Sequence, residues 1–269
     1  MKKTIISCVL FLTAVTAFSQ TPMKTAAEAK LSASDLAVKI ADRILATTTY
    51  EFKNTKTGKT YKSVKNLPLD MNVKVACKYN NWHYTNGVTH IALMELADKT
   101  GAKKYDDYVL KNMNFVFNEG NLDFFKKQYE QAMKNEGWYG VRKLSWHMIF
   151  RGKRLDDNGP MGASLIDLQI KHPNNSFLNY INETAEHLNY GEPRLADGTI
   201  ARIWPHENTI WADDAFMAIS FLARMAKMTG DMSYINDAAN QVIKYHKYLW
   251  CPEKRILYHC YHTDTDEHG

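Results

Sequence analysis

Two adjacent aspartates begin a long apolar stretch of this chain. The segment "NTIWADDAFMAISFLARM", residues 208–225, has Asp213 and Asp214 near its start and few polar residues after them. A helix this apolar is expected to be buried, and a buried carboxylate is unfavourable unless it is paired or used chemically. Apolar surroundings raise a carboxyl pKa and so favour the protonated form that a general acid needs. Acidic residues also complement the dipole in the first turn of a helix, so a purely structural role stays open.

A second acidic pair lies in "RLDDNGPMG", where Asp156 and Asp157 precede a Gly-Pro sequence. Such residues are commonly turn or cap residues. A second carboxylate facing Asp213 is, however, what acid/base chemistry on a sugar requires. Several aromatic residues lie close to these carboxylates in the sequence, a composition typical of carbohydrate pockets, although each of them could equally be a core residue. They are Trp82, Tyr84, Trp204 and Trp211.

Three helical hairpins are predicted to position these residues. In each hairpin an apolar helix ends at a polar break, and an aromatic residue then opens an amphipathic helix. The three anchoring aromatics are Tyr105, Phe177 and Tyr234. The first helices, around residues 88–97, 161–170 and 215–228, are apolar nearly all round, which indicates burial on both sides.

Inner helices buried on both sides and amphipathic outer helices together indicate an all-α fold of the α/α toroid type. A four-helix bundle is the alternative. In a toroid the loops that lead into the inner helices meet on one face, and the polar-aromatic clusters lie in those loops. Strand patterns are few: "RILYHCYH" near the end, where His259 alternates with Cys260, and a segment near residues 49–64. A lone histidine such as His259 is also compatible with a structural role.

Composition and the first residues limit the class of protein. The opening "MKKTIISCVLFLTAVTAFSQ" has the pattern of a secretory signal peptide, residues 1–19, with an apolar stretch too short to span a membrane. Residues 20–33 are expected to be a linker and residues 34–269 the folded domain. Without Lys2 and Lys3 the net charge falls from +5 to +3, too weak for a nucleic-acid-binding protein. We therefore expect a periplasmic or secreted protein that binds neither nucleic acid nor, after cleavage, the membrane.

The cysteines indicate no disulfide framework, because the mature chain keeps only Cys77, Cys251 and Cys260, although one bridge is compatible with an oxidising compartment. The chain also has no paired metal-ligand spacing and no glycine-rich phosphate loop. The sequence does not indicate an oligomeric state.

Five segments resemble glycoside hydrolase family 105, the unsaturated rhamnogalacturonyl hydrolases. They are "NWHYTNGV", "RLDDNGPMGASLIDL", "PRLADGTIAR", "NTIWADDAFMAISFLARMAKMTGDMSYINDAANQV" and "LYHCYH", and they occur in the family's order between residues 40 and 262. The resemblance implies an (α/α)6 barrel of six hairpins. It also implies removal of a Δ4,5-unsaturated uronic acid from a pectin-derived oligosaccharide, without a metal ion or an organic cofactor.

The resemblance also implies roles for individual residues. Asp213, in the Trp-x-Asp motif, would protonate the vinyl ether double bond and activate the water that adds at the neighbouring carbon. The second catalytic carboxylate falls in "LDDNG", where Asp157 is preferred slightly and Asp156 is left as a substrate-binding residue. Trp211 and Tyr84 would form pocket walls.

Two further residues are expected to bind the substrate. His259 matches the family's Tyr-His position. Arg202 is a candidate partner for the uronate carboxylate, because arginine binds carboxylates in a bidentate manner.

One departure from the family pattern is the number of hairpins. The chain supplies three hairpins and an opening helix, about half to two-thirds of the family's barrel, so we expect an incomplete toroid with exposed inner-helix flanks. Two alternatives stay open. One is an unsaturated glucuronyl hydrolase of family 88 that acts on glycosaminoglycan fragments, and the other is a non-catalytic carbohydrate-binding or scaffold remnant of such a barrel.

Overall fold

The computed structural model describes residues 32–152 and 154–269. The predicted signal peptide, and the predicted linker up to residue 31, lie outside the described residues. Internal contacts divide the chain after Ile40. The elements that form the site all belong to the unit Ala41–Gly269.

The described residues are mostly helical. The helices are α1 (Ala33–Thr47), α2 (Tyr84–Thr100), α3 (Lys104–Val116), α4 (Glu119–Val141), α5 (Met148–Arg151), α6 (Leu155–Lys171), α7 (Asn175–Glu186), α8 (Ala212–Thr229) and α9 (Met232–Leu249). A π-helical turn, His187–Gly191, follows α7. The strands are β1 (Phe52–Asn54), β2 (Thr60–Tyr61), β3 (Val73–Val75), β4 (Thr209–Trp211), β5 (Trp250–Cys251), β6 (Ile256–Leu257), β7 (Cys260–His262) and β8 (Glu267–His268).

The three predicted hairpins are α2/α3, α6/α7 and α8/α9. In each pair the second helix packs on the first, and α6 lies between α2 and α8. The first helices are therefore the inner ones. The ends of two of them follow from the sequence, because α2 and α8 stop at Gly101 and Gly230. Both glycines have a left-handed backbone conformation, which residues with side chains rarely adopt. This layered order of inner and outer helices favours the toroid over the four-helix bundle.

Close contact between the inner helices depends on glycine. A Cβ atom at Gly159 of α6 would lie 2.5 Å from the carbonyl oxygen of Met217 in α8. A Cβ atom at Gly87 of α2 would overlap the main chain of Pro160 in α6. The glycines thus let three helix backbones approach one another, as the small residues in these helices predict, and they bring the starts of the helices together.

Short antiparallel strands link the C-terminal segment to the start of α8. Strand β4 pairs with β7 so that Trp211 lies opposite Cys260, and β7 pairs with β8. The predicted strand "RILYHCYH" is thus confirmed as β6 and β7. The segment near residues 49–64 forms β1 and β2, which join β3 in a sheet. Helix α4, interrupted at Gly137, was not predicted.

Three other expectations concern chemistry and surface. Cys77, Cys251 and Cys260 are free thiols, so the structure has no bridge between them. Apolar side chains are exposed on α8 and α9, among them Phe216, at 46% exposure, and Ile243, at 67%. None of the helices in the described ranges has the length and apolar character needed to cross a membrane.

Candidate functional site

The third residue of each inner helix fastens the loop that precedes that helix. In α2 this residue is Asn86, whose side-chain amide donates to the carbonyls of Lys78 and Asn81 at 2.9 and 2.8 Å. The equivalent residues are Asp157 in α6 and Asp214 in α8. All three are buried. Each of these polar side chains is hydrogen-bonded to a residue in the segment that precedes its helix. The third position therefore anchors that segment in every hairpin.

Asp157 is anchored by Arg151. The Nε atom of Arg151 donates to Asp157 Oδ2 at 2.5 Å, and its Nη2 donates to Asp157 Oδ1. The side chain of Asp157 is fully buried, and this burial raises its pKa against the opposing effect of Arg151. The Asp157 carbonyl also accepts a hydrogen bond from the indole of Trp82 at 2.7 Å. Asp157 is therefore held inside the helix layer.

Asp214 is anchored by Arg202 in the same way. Arg202 donates from Nε to Oδ2 at 2.6 Å and from Nη2 to Oδ1 at 2.7 Å. Burial raises the pKa of Asp214 to about 7, although the hydrogen bonds and charge of Arg202 act in the opposite direction. Burial alone would lower the pKa of Arg202, but its bonds to Asp214 keep that pKa raised overall. The guanidinium therefore remains charged.

The second residue of each inner helix is more accessible than the third. These residues are Thr85 in α2, Asp156 in α6 and Asp213 in α8. The side chains of Asp156 and Asp213 are 28% and 42% exposed. One carboxylate oxygen from each of Asp156, Asp213 and Asp214 lies within 4.8 Å of the others. The starts of α6 and α8 thus bring three carboxylates together around Arg202.

Asp213 is held loosely in comparison with Asp214. Its Oδ2 accepts one bond of 3.2 Å from Arg202 Nη2, which also lies 3.8 Å from Asp156 Oδ1. The Oδ1 atom of Asp213 is covered by other atoms and has no hydrogen-bond partner among the described residues. Asp213 thus makes fewer and longer contacts with Arg202 than Asp214 does.

A cleft of about 330 Å³ opens beside this cluster. Its walls come from the start of α6, the π-helical turn and the segments before β4 and α8. The lining residues are Arg154, Leu155, Asp156, His187, Gly191, Glu192, Pro193, Arg202, Ile203, Trp204 and Asp214. A cleft of this size, lined by convergent charged groups and an aromatic ring, is suited to a small polar ligand such as a sugar.

Two predicted pocket residues contact each other, and one of them, Trp211, also contacts Arg202. The ring of Trp211 is 4.7 Å from the Arg202 guanidinium carbon and contacts His259 edge to face, with 5.0 Å between ring centroids. The main chain joins them as well, because Ala212 N donates to the carbonyl of His259. Trp211 and His259 lie beside the carboxylate cluster rather than in the lining of the cleft. Tyr84 packs against the neighbouring His83 and also does not line the cleft.

The structure therefore brings together five of the seven predicted residues, namely Asp156, Trp211, His259, Arg202 and Asp213. Tyr84 and Asp157 lie apart from them. The slight preference for Asp157 over Asp156 is not supported by these contacts, because Asp157 is fully buried against Arg151. The contacts of Arg202 with the protein's own carboxylates also favour a role other than the predicted binding of the uronate.

Three cleft residues, Arg154, Trp204 and Asp214, were not assigned to the site from the sequence. Asp214, for which the sequence left a structural role open, lines the cleft. Arg154 was not considered. Trp204, 59% exposed, was treated as either a core residue or a pocket residue. The sequence did carry a signal for Arg154. It lies two residues before Asp156, so both residues are placed at the start of α6 and near the same cleft.

Comparisons with known proteins agree with this architecture. The family described as Glycosyl Hydrolase Family 88 matches residues 56–269. Among curated proteins, no sequence matches the chain. A possible member of the GH105 family from Salmonella enterica subsp. enterica serovar Paratyphi A has a similar structure, with a TM-score of 0.56 and 14% identity. The alignment covers 92% of this chain and 56% of the Salmonella chain.

Two further structures share the fold. A family 105 glycoside hydrolase from C. acetobutylicum ATCC 824 is 22% identical, with a TM-score of 0.50 over 76% of this chain and 47% of its own. The GH76A alpha-1,6-mannanase from Salegentibacter sp. HEL1_6 is 14% identical, with a TM-score of 0.51, and the alignment covers 88% of this chain and 57% of the mannanase chain. The predicted six-hairpin fold is thereby confirmed, and this chain spans about half the length of the structures that it matches.

Proposed function

Because the chain belongs to Glycosyl Hydrolase Family 88, we propose that it acts in removing a Δ4,5-unsaturated uronic acid from pectin-derived oligosaccharides. Family membership supports a glycoside hydrolase, and the particular substrate is our proposal. The observation that carries it is the placement of Asp213. One oxygen of its partly exposed side chain lies within 4.8 Å of an oxygen from each of two other carboxylates, and among the described residues Arg202 alone is hydrogen-bonded to it.

Asp213 is proposed as the proton donor. Its proton forms the new C–H bond at C4 of the unsaturated ring, and water then bonds to C5 and returns a proton to the Asp213 carboxylate. The hemiketal at C5 opens, and the free hemiacetal at C1 then releases the remaining sugar. Water is added overall, and the enzyme ends in its starting protonation state.

Asp156, Asp214 and Arg202 support this step in the proposal. Asp156 and Asp214 each place a carboxylate oxygen beside that of Asp213. Arg202 fixes the spacing of the three carboxylates. Asp214 is less suited to donate the proton itself, since its side chain is only 2% exposed and both of its oxygens accept bonds from Arg202.

A second candidate substrate is an unsaturated glucuronyl disaccharide from a glycosaminoglycan. The matching family description, Glycosyl Hydrolase Family 88, is the observation that favours it. Both candidates contain the same unsaturated ring, so the chemistry of Asp213 is unchanged. The two differ in the sugar attached to that ring, and turnover of one disaccharide in preference to the other distinguishes them.

The test is loss of the ultraviolet absorbance of the conjugated uronate. The chain is mixed with unsaturated galacturonosyl-rhamnose or with an unsaturated glycosaminoglycan disaccharide. Asp213→Asn is expected to lower turnover by about 100-fold or more, the usual contribution of a general acid, while retaining ligand binding. Asp123→Asn is the matched control, because Asp123 is exposed on α4 and, in the part of the chain that the structure describes, pairs with Lys127 alone. Turnover by Asp213→Asn, or no turnover by the unchanged chain, would contradict the proposal.

We also propose that the chain is exported, as the residue pattern at positions 1–19 predicts. Expression in a bacterium with a periplasm, followed by fractionation and mass determination, tests this. Processing after Ser19 and recovery outside the cytoplasm are expected. An intact N-terminus in the cytoplasmic fraction would contradict export.

A further inference from the structure

The cleft contains an arginine that the proposed reaction has not yet used. Arg154 lies at the start of α6, two residues before Asp156, and lines the cleft together with Arg202 and His187. The other two side chains already have carboxylate partners. Arg202 binds Asp214, and His187 Nε2 lies 2.8 Å from Glu192 Oε2.

Arg154 has a different environment. Among the described residues, no carboxylate lies within ion-pair distance of its guanidinium. Its partner is instead the ring of Trp204, 4.5 Å from the guanidinium carbon. Stacking occupies the flat face of a guanidinium and leaves its N–H edge free to donate in the plane. The arrangement thus presents a preoriented set of donors in the cleft.

The side chain of Arg154 also has no evident structural task. Arg154 is the residue that caps the start of α6, but its side chain makes no capping hydrogen bond. A cation that neither pairs nor caps, and that is held against an exposed tryptophan in a cleft, has the features of a ligand-binding group. Arginine binds carboxylates through two parallel hydrogen bonds, which fixes both position and orientation.

We propose that Arg154, stacked on Trp204, binds the carboxylate of the unsaturated uronic acid. This inference rests on the proposed function for the identity of the sugar. It replaces Arg202 as the partner of the uronate, because Arg202 is committed to the protein's own carboxylates. Since the carboxylate is attached to C5, holding it fixes the carbon to which water adds and orients the adjacent C4 for protonation.

Charge in the cleft is consistent with this assignment. Asp156, Asp213 and Asp214 would repel an anionic group placed near them, whereas Arg154 would attract it. An anionic sugar is thereby oriented with its carboxylate at Arg154. A neutral ester of the same sugar would lose this attraction.

Calorimetric titration with two probes tests the inference. The probes are unsaturated galacturonosyl-rhamnose and its methyl ester. The unchanged chain is expected to bind the acid about 10- to 100-fold more tightly than the ester, the range given by hydrogen bonds to a charged group. Arg154→Gln should abolish this preference and leave the melting temperature unchanged. Arg154→Lys, which keeps the charge but loses the planar fork, should retain only part of it.

The matched control is Arg43→Gln. Arg43 lies on the exposed side of α1 and should leave the preference for the acid intact. An unchanged preference in Arg154→Gln overturns the inference, and so does an unchanged chain that binds acid and ester equally or binds neither. Binding that depends on Arg154 without any turnover would overturn the proposed hydrolase activity while the carboxylate site stands. The two proposals therefore fail by different results.

Discussion

Removal of Arg202 should destabilise the fold in a pH-dependent way. Arg202 supplies the only two hydrogen bonds that the side chain of Asp214 accepts among the described residues, at 2.6 and 2.7 Å. Arg202→Met keeps a side chain of similar length but leaves the Asp214 carboxylate buried and unpaired. Breaking a buried ion pair by removing one partner costs about 3–5 kcal/mol. For a domain of this size, that corresponds to a fall of roughly 6–20 °C in melting temperature.

The pH dependence follows from the direction of the pKa shift. Burial already raises the pKa of Asp214 to about 7, and loss of Arg202 removes the group that lowers it. The unfolded chain has an ordinary aspartate with a pKa of about 3.9. Between these values the folded state binds more protons, so the free energy of unfolding falls as pH rises through this window. This fall is common to both proteins up to about pH 7, where Asp214 of the unchanged chain ionises while Asp214 of Arg202→Met keeps its proton. The deficit of Arg202→Met should therefore grow as pH rises above about 7 and stay nearly constant between pH 7 and pH 5.

Denaturant unfolding at several pH values measures this effect. The double variant Arg202→Met/Asp214→Asn removes both charges and should recover part of the loss. Lys127→Met is the control, because Lys127 and Asp123 form an exposed pair whose contribution is at most about 1 kcal/mol. A cost below about 1 kcal/mol for Arg202→Met, or a cost that grows as pH falls, would refute the reasoning from burial.

The two adjacent aspartates of α6 should differ in their effects on turnover and on stability. Asp156→Asn is expected to lower turnover with little change in melting temperature. Asp157→Asn should instead cost about 3–5 kcal/mol in unfolding free energy, because it leaves Arg151 without its partner. Equal effects on stability would contradict this division. Gly159→Ala should cost about 1–3 kcal/mol, because its Cβ would meet the main chain of α8. Gly120→Ala is the control, because its Cβ would lie 3.3 Å from a methyl group of Val64 and 3.5 Å from Asn118 Oδ1, both side-chain atoms, rather than against main chain. Equal melting temperatures for the two variants would contradict the close-packing argument.

The hairpins could be predicted because their signal is local. An amphipathic helix after an aromatic residue, or a helix that is apolar nearly all round, is visible within one segment of sequence. The inner helix α8 was predicted at residues 215–228 and runs from Ala212 to Thr229. The strand around "RILYHCYH" was likewise visible as a short alternating segment.

The choice between adjacent aspartates could not be predicted, because it depends on contacts between segments. Successive helical residues point about 100° apart, so Asp156 and Asp157 face different surroundings. Which of them faces the cleft is decided by Arg151 and by the neighbouring inner helices. The pairing of Arg202 with Asp214 could not be predicted either, because it also depends on a contact between segments. Arg202 N donates to the carbonyl of Thr209, and this main-chain bond holds Arg202 beside the segment that leads into α8.

In the inner helices, the residue that anchors the preceding segment and the residue that is open to a ligand occupy two adjacent positions. Asn86, Asp157 and Asp214 fasten the loops, and Thr85, Asp156 and Asp213 are left more open to solvent. Chemistry at the second position can therefore change without releasing the loop, while the third position tolerates only residues that keep its partner. Substitutions at the second position of one hairpin can therefore change the chemistry of this face while the anchoring contacts of all three hairpins stay intact.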